Sequence, residues 1–181
     1  NIFIGKDAGG GDWATAASHS NIGIGSGVMD AAMNGALRNV GIGHAALGAI
    51  TTGDKNTAVG FNAGLSIDSG FGNTLLGRGA GDGFDAENYN TAIGSDALGG
   101  ATSCAQAVAV GAGAMIAAAT QDGTVAIGAE ALANVTSGGK NTAVGYQAGN
   151  AITTGTDNTA LGYGALDVLD TGNENVAIGL N

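Results

Sequence analysis

A five-residue motif ending in glycine returns eleven times along this chain of 181 residues, and its spacing restricts the fold more than any other feature. The copies are NIFIG from Asn1, NIGIG from Asn21, NVGIG from Asn39, NTAVG from Asn56, NTLLG from Asn73 and NTAIG from Asn90. AVAVG follows from Ala107, TVAIG from Thr124, NTAVG from Asn141, NTALG from Asn158 and NVAIG from Asn175. The first interval is 20 residues, the second 18, and the remaining eight are 17. A fixed period of this kind marks a solenoid, whose units are too small to bury an apolar face alone and do so against their neighbours. The expected fold is an all-β, parallel β-solenoid with 17-residue coils. It forms one repeat domain over 1–181, ten coils and a final strand, with irregular first two coils over 1–38 and regular ones over 39–181.

Counted from its first residue, each coil repeats its chemistry. The second residue is Ile, Val or Thr, the third is usually Ala or Gly, the fourth is always Ile, Val or Leu, and the fifth is always Gly. β-branched and small residues alternating up to a glycine form the period-two signature of a strand. The eighth residue is Ala in all copies but one, where it is Val28. The twelfth is apolar in the regular coils, from Ile50 and Phe84 to Ala101 and Leu169. The fourteenth is Ser or Thr, as at Thr52, Ser69 and Thr154, with Ala86 the one departure, a row that reads as a structural ladder, and Gly53-Asp54-Lys55 exemplifies the turn chemistry that follows. Each coil therefore reads as strand, tight bend, second short strand and turn, with the fourth, eighth and twelfth residues stacked into a thin core. Ten intervals of about 4.8 Å make a rod about 50 Å long.

Nine of the eleven motifs begin with Asn, which predicts a ladder of side-chain amides along the rod. Ala107 and Thr124 interrupt it in adjacent coils, where the second residue is Val108 or Val125. The neighbouring stretch from Ala101 to Ala119 is the most apolar of the chain, through local drift or a closer contact with a partner.

Composition agrees with a thin architecture. With 36 Gly, no Pro and 4% aromatic residues, the chain cannot be mostly helix, since each interior Gly costs roughly 1 kcal/mol relative to Ala, and it lacks the large side chains of a thick core. Five Lys and Arg against fifteen Asp and Glu leave a net charge of −10, which excludes a nucleic-acid backbone as partner. No apolar run approaches the ~18 residues of a membrane span. Cys104 is the only cysteine, so no intrachain disulfide forms. Asn1 opens a repeat, so the chain reads as a processed product or a fragment, its ends expected to meet further domains or repeats.

Alternation places the second and fourth residues on one face of the strand and the third and fifth on the other. Either the aliphatic face is inside and the Ala/Gly face outside, or the reverse. In both cases a long, weakly charged face remains for a partner chain, with a closed homo-oligomer expected.

The Asn-x-Ala-aliphatic-Gly-x-x-Ala pattern, as in NTAVGYQA at 141–148 and NTALGYGA at 158–165, resembles the head repeats of YadA-type trimeric autotransporter adhesins. It is also similar to repeats in the shafts of bacteriophage tail fibres, towards which the longer coil points. The resemblance implies a left-handed parallel β-roll, a homotrimer, an extracellular place on a virion or bacterial surface, and attachment to a cell-surface glycan or protein receptor.

No catalytic, cofactor or metal site is expected. His19, His44 and Cys104 are isolated in sequence, and Asp82, Asp85, Asp167 and Asp170 follow no calcium-binding repeat. Gly-x-Gly clusters such as Gly77-Arg78-Gly79 precede no helix that would bind phosphate. A glycosidase or lyase built on such a scaffold needs loop insertions, for which the strict period leaves no room. The candidate surface contacts are Phe61, Tyr146 and Tyr163, which share the sixth position of their coils. Trp13, Phe61, Phe71, Tyr89, Tyr146 and Tyr163 are the aromatic residues expected at the surface, against a sugar or a neighbouring chain. The alternative function is ice binding, suggested by the row of Thr57, Thr74, Thr91, Thr142 and Thr159.

Overall fold

The computed structural model describes residues 1–11, 17–120 and 122–181; the expectation for Trp13 lies outside them. Each motif forms one three-residue strand: β1 (Ile2–Ile4), β2 (Ile22–Ile24), β3 (Val40–Ile42), β4 (Thr57–Val59), β5 (Thr74–Leu76) and β6 (Thr91–Ile93). They continue as β7 (Val108–Val110), β8 (Val125–Ile127), β9 (Thr142–Val144), β10 (Thr159–Leu161) and β11 (Val176–Ile178). All eleven pair in chain order and in parallel into one sheet. The register equals the repeat: Thr57, Ala58 and Val59 face Thr74, Leu75 and Leu76, each seventeen residues on. The chain is therefore a β-solenoid of about ten turns.

The third residue of each motif points inward. Ala58, Leu75, Ala92, Ala109, Ala126 and Ala160 are buried, whereas the second and fourth residues are exposed or half-buried. The expectation that the fourth residue joins the core is thus corrected, while the eighth and twelfth do join it, as at Ala63, Ala97, Ile67 and Phe84. The cause is volume. The ninth residue, which sequence reading passed over, also enters the core, so only a small side chain fits opposite it.

Leu47 with Ile50 and Leu132 with Val135 keep a branched side chain at both places, but in the other buried coils the twelfth residue varies with that ninth position. It holds Leu47, Leu98, Met115 and Leu132 at φ 50–52°, or Gly64, Gly81 and Gly149 at φ 57–63°. Where it is glycine, the twelfth residue is large and fills the space. A Cβ on Gly81 would lie 2.9 Å from the Phe84 ring, and one on Gly149 would lie 3.2 Å from Ile152 Cδ1. Where it is Leu98 or Met115, the twelfth shrinks to Ala101 and Ala118, both fully buried. Leu75, the large exception in the inward strand row, is seated between Gly64 and Gly81, whose Cβ atoms would come within 2.7 and 2.8 Å of it. Within the apolar stretch 101–119, Ala101 and Ala118 thus have an internal, packing reason.

The glycine after each strand is fixed twice over. Gly43, Gly60, Gly77 and Gly94 adopt φ of 133–144°, a conformation that L side chains rarely take. A Cβ on Gly43 would also lie 2.3 Å from the carbonyl oxygen of Gly60 in the next coil.

No second strand follows the bend among the described residues; the only further pairings are the isolated bridges His19 with Leu37 and Asn88 with Ala105. In place of a ladder, successive amides converge on one carbonyl. The N–H groups of Thr51, Thr52 and Gly53 all donate to Asp68 O, at 3.0, 3.1 and 3.0 Å. Inter-coil bonds from threonine hydroxyls run through the thirteenth position, as from Thr51 to the Asp68 carboxylate and from Thr153 to that of Asp170. The Ser/Thr row at the fourteenth position, expected as a ladder, lies exposed.

The asparagine ladder forms. Asn56 Nδ2 donates to Asn39 Oδ1 (3.2 Å) and to Gly70 O (2.7 Å), while its Oδ1 accepts from Asn73 N–H (3.0 Å) and Nδ2 (2.9 Å). Each amide so ties a coil to its neighbour and the start of a coil to its own end, and Asn39, Asn56 and Asn73 are at most 1% exposed. At the interruption, Ala107 N–H still donates to Asn90 Oδ1 (2.9 Å) but returns no side-chain acceptor. The hydroxyl of the fully buried Thr124 has no hydrogen-bond partner.

Candidate interaction surface

Because the third residue faces inward, the second and fourth residues of all eleven strands form one outward face. Its fourth-position row is Ile4, Ile24, Ile42, Val59, Leu76, Ile93, Val110, Ile127, Val144, Leu161 and Ile178, aliphatic throughout. Its second-position row alternates blocks of Ile or Val with Thr57, Thr74, Thr91, Thr142 and Thr159. Neither row contains a charged residue. Ile42, Leu76, Ile127 and Leu161 are 38–47% exposed in mid-rod, where neighbouring coils already cover their flanks. With rungs about 4.8 Å apart and strands of three residues spanning about 10 Å, the face covers roughly 500 Å². That is the size of the large apolar patches that are often functional on a protein surface.

Two edges border this face. One follows the glycine bend and carries the sixth residue of each coil: Lys6, His44, Phe61, Arg78, Tyr146 and Tyr163 among them. The other precedes the motif and carries Arg38, Lys55, Phe71, Tyr89, Lys140 and Asp157. Sequential stacking at a one-coil spacing brings the edge rings together. His44 and Phe61 stack at 5.0 Å and 13°, Tyr146 and Tyr163 at 5.3 Å and 26°, and Phe71 meets Tyr89 edge-on at 4.8 Å and 77°.

Of the expected contact residues, Phe61, Tyr146 and Tyr163 are 44–55% exposed and lie on this edge. Tyr146 and Tyr163 turn their ring faces towards each other and so offer outward mainly their edges and hydroxyls. A pyranose stacks on a ring face, so this pair makes a poorer sugar platform than a side wall against a neighbouring chain.

The remaining polar chemistry is dispersed. The Lys6–Asp7 and Arg78–Asp96 ion pairs are solvent-exposed and contribute little. Burial, and then the neighbouring Asp96 carboxylate, push the Asp82 carboxyl above its ordinary range. Among the described residues no group of three His, Cys, Asp or Glu side chains could hold a metal ion. His19 and His44 are separate, and Cys104 is a buried thiol outside any disulfide. No helix of the described residues is long and apolar enough to cross a membrane. Compared with known proteins, the chain matches no family model, no curated protein and no solved structure.

Proposed function

We propose that this chain is a structural rod of an extracellular fibre, of the phage tail-fibre or bacterial adhesin kind, which extends or presents a receptor-binding surface as a homotrimer. The observation that carries this reading is the uncharged aliphatic face, continuous over all eleven strands of a chain with net charge −10. Parallel, level copies set Thr57, Thr74 and Thr91 against each other and aliphatic residues against aliphatic ones. An antiparallel pair would set Thr57 against Val125 and Thr74 against Val108. The reading assigns the chain no catalytic step and no cofactor.

Sedimentation analysis tests it. The expected result is a trimer, converted to monomer by Val110→Lys, whose side chain points outward and leaves the coil intact. A wild-type monomer at micromolar concentration sinks the proposal.

Ice binding is the second reading, favoured by the outward placement of Thr57, Thr74, Thr91, Thr142 and Thr159 on a regular sheet face. Thermal hysteresis no greater than that of buffer eliminates it.

A further inference from the structure

All five cations of the chain lie on the two edges of the aliphatic face. Lys6 and Arg78 follow the glycine bend, and Arg38, Lys55 and Lys140 immediately precede a motif. Of the acids among the described residues only Asp157 and Glu174 share these rows; the others occupy other positions of the coil. A random scatter of cations would not confine them to two of seventeen positions, so the edges call for a complementary surface.

The complement lies on the opposite edge at the same level. Lys55 precedes β4, and Phe61 follows it. Arg78 follows β5, and Phe71 lies on the edge before it. Lys140 and Tyr146 flank β9, Arg38 and His44 flank β3, and Asp157 and Tyr163 flank β10. Within one chain the members of such a pair stand on either side of a strand, separated by up to about 20 Å of extended backbone, and cannot touch. Across β8, where the edges carry Gly123 and Ala129, neither side chain has bulk.

We infer that the two edges bind each other between copies of this chain: the edge before each strand of one copy seats against the edge after the same-numbered strand of the next. This inference rests on the lateral self-association proposed above and adds to it the register and the residues that close the ring. Lysine and arginine then pack beside phenylalanine and tyrosine side chains at three levels, their apolar stems covering the exposed ring edges. The Tyr163 hydroxyl donates to the Asp157 carboxylate at a fourth. Cations on an acidic rod are thereby placed where neighbouring copies would otherwise repel most closely. The contact is heterologous, and between level, parallel copies it closes into a ring when the rotation from one copy to the next divides a full turn.

Paired cysteines test the register in the full chain, with native Cys104 left in place because it is buried. Oxidation of the Lys55→Cys/Phe61→Cys variant is expected to give covalent oligomers at least tenfold more abundantly than either single variant. Lys140→Cys/Tyr146→Cys repeats the measurement at another level should the first pair fold poorly. Crosslinking of Phe61→Cys/Ala129→Cys in place of these pairs would mean antiparallel copies, in which like edges meet, and overturn the inference. An oligomer of unchanged mass in which neither level pair links would overturn it while leaving lateral association standing. A monomer in sedimentation overturns both.

Discussion

Replacing Asn56 by alanine removes four hydrogen bonds at once: its Nδ2 bonds to Asn39 Oδ1 and Gly70 O, and the two that its Oδ1 accepts from Asn73. Its own backbone bond to Asn39 Oδ1 survives, as the native Ala107 bond to Asn90 does at the interruption. At a net ~1 kcal/mol per bond the loss is about 4 kcal/mol, and leaving the Asn73 N–H buried without an acceptor adds a further ~1 kcal/mol or more. Position 124 offers the opposite case in the same place of the coil. Thr124→Val keeps the shape and removes a hydroxyl that has no partner, so it should stabilise the chain by about 1 kcal/mol. Urea unfolding followed by far-ultraviolet circular dichroism measures both. If Asn56→Ala costs less than about 1 kcal/mol, or Thr124→Val destabilises, the satisfied amide column is not what holds the coils together.

Gly94→Ala, at φ 138° and with its new Cβ 2.4 Å from Gly111 O, should destabilise by at least about 3 kcal/mol in the same assay. Ile152→Ala should cost about 2–5 kcal/mol, and adding Gly149→Leu, which recreates the Leu98/Ala101 arrangement, should recover at least half of it; no recovery refutes the volume exchange between the ninth and twelfth residues. The raised Asp82 carboxyl binds its proton more tightly in the folded chain, so stability falls as pH rises from its ordinary value of about 3.8 through the raised one. Asp82→Asn should remove that slope and raise the melting temperature at pH 7; a slope unchanged in the variant refutes the assignment.

The register was legible in advance because a motif that recurs every seventeen residues can stack only on itself, and Thr57 does pair with Thr74 as the period requires. The inward direction was not. When one strand face is aliphatic and the other Ala or Gly, neither is charged, and alternation alone is symmetric to exchange of inside and outside. The third-position Ala row is inward because Leu47, Leu98 and Met115 already occupy the coil, and those residues looked unpatterned beside Gly64 and Gly81. The readable signal was the alternation of glycine with Leu or Met at a fixed place, which marks a left-handed backbone position tolerant of either. The second strand was expected from apolar and hydroxyl residues at 50–52 and their equivalents, whose amides instead gather on single carbonyls such as Asp68 O. For the candidate surface, Phe61, Tyr146 and Tyr163 were legible from their shared position. The concentration of cations beside them became meaningful only once the strand face between the two edges proved to point outward.

The asparagine column has a direction. Every amide from Asn21 to Asn90 directs its backbone N–H towards the preceding Asn oxygen, so the bond dipoles add head to tail along the rod. Each acceptor is polarised by the one behind it, and a chain of such bonds strengthens with length. Ala107 and Thr124 divide the column into a run of six asparagines, from Asn1 to Asn90, and a run of three, from Asn141 to Asn175. The solenoid is continuous in its sheet but electrically segmented, and its longer, more strongly polarised segment lies on the amino-terminal side of the break.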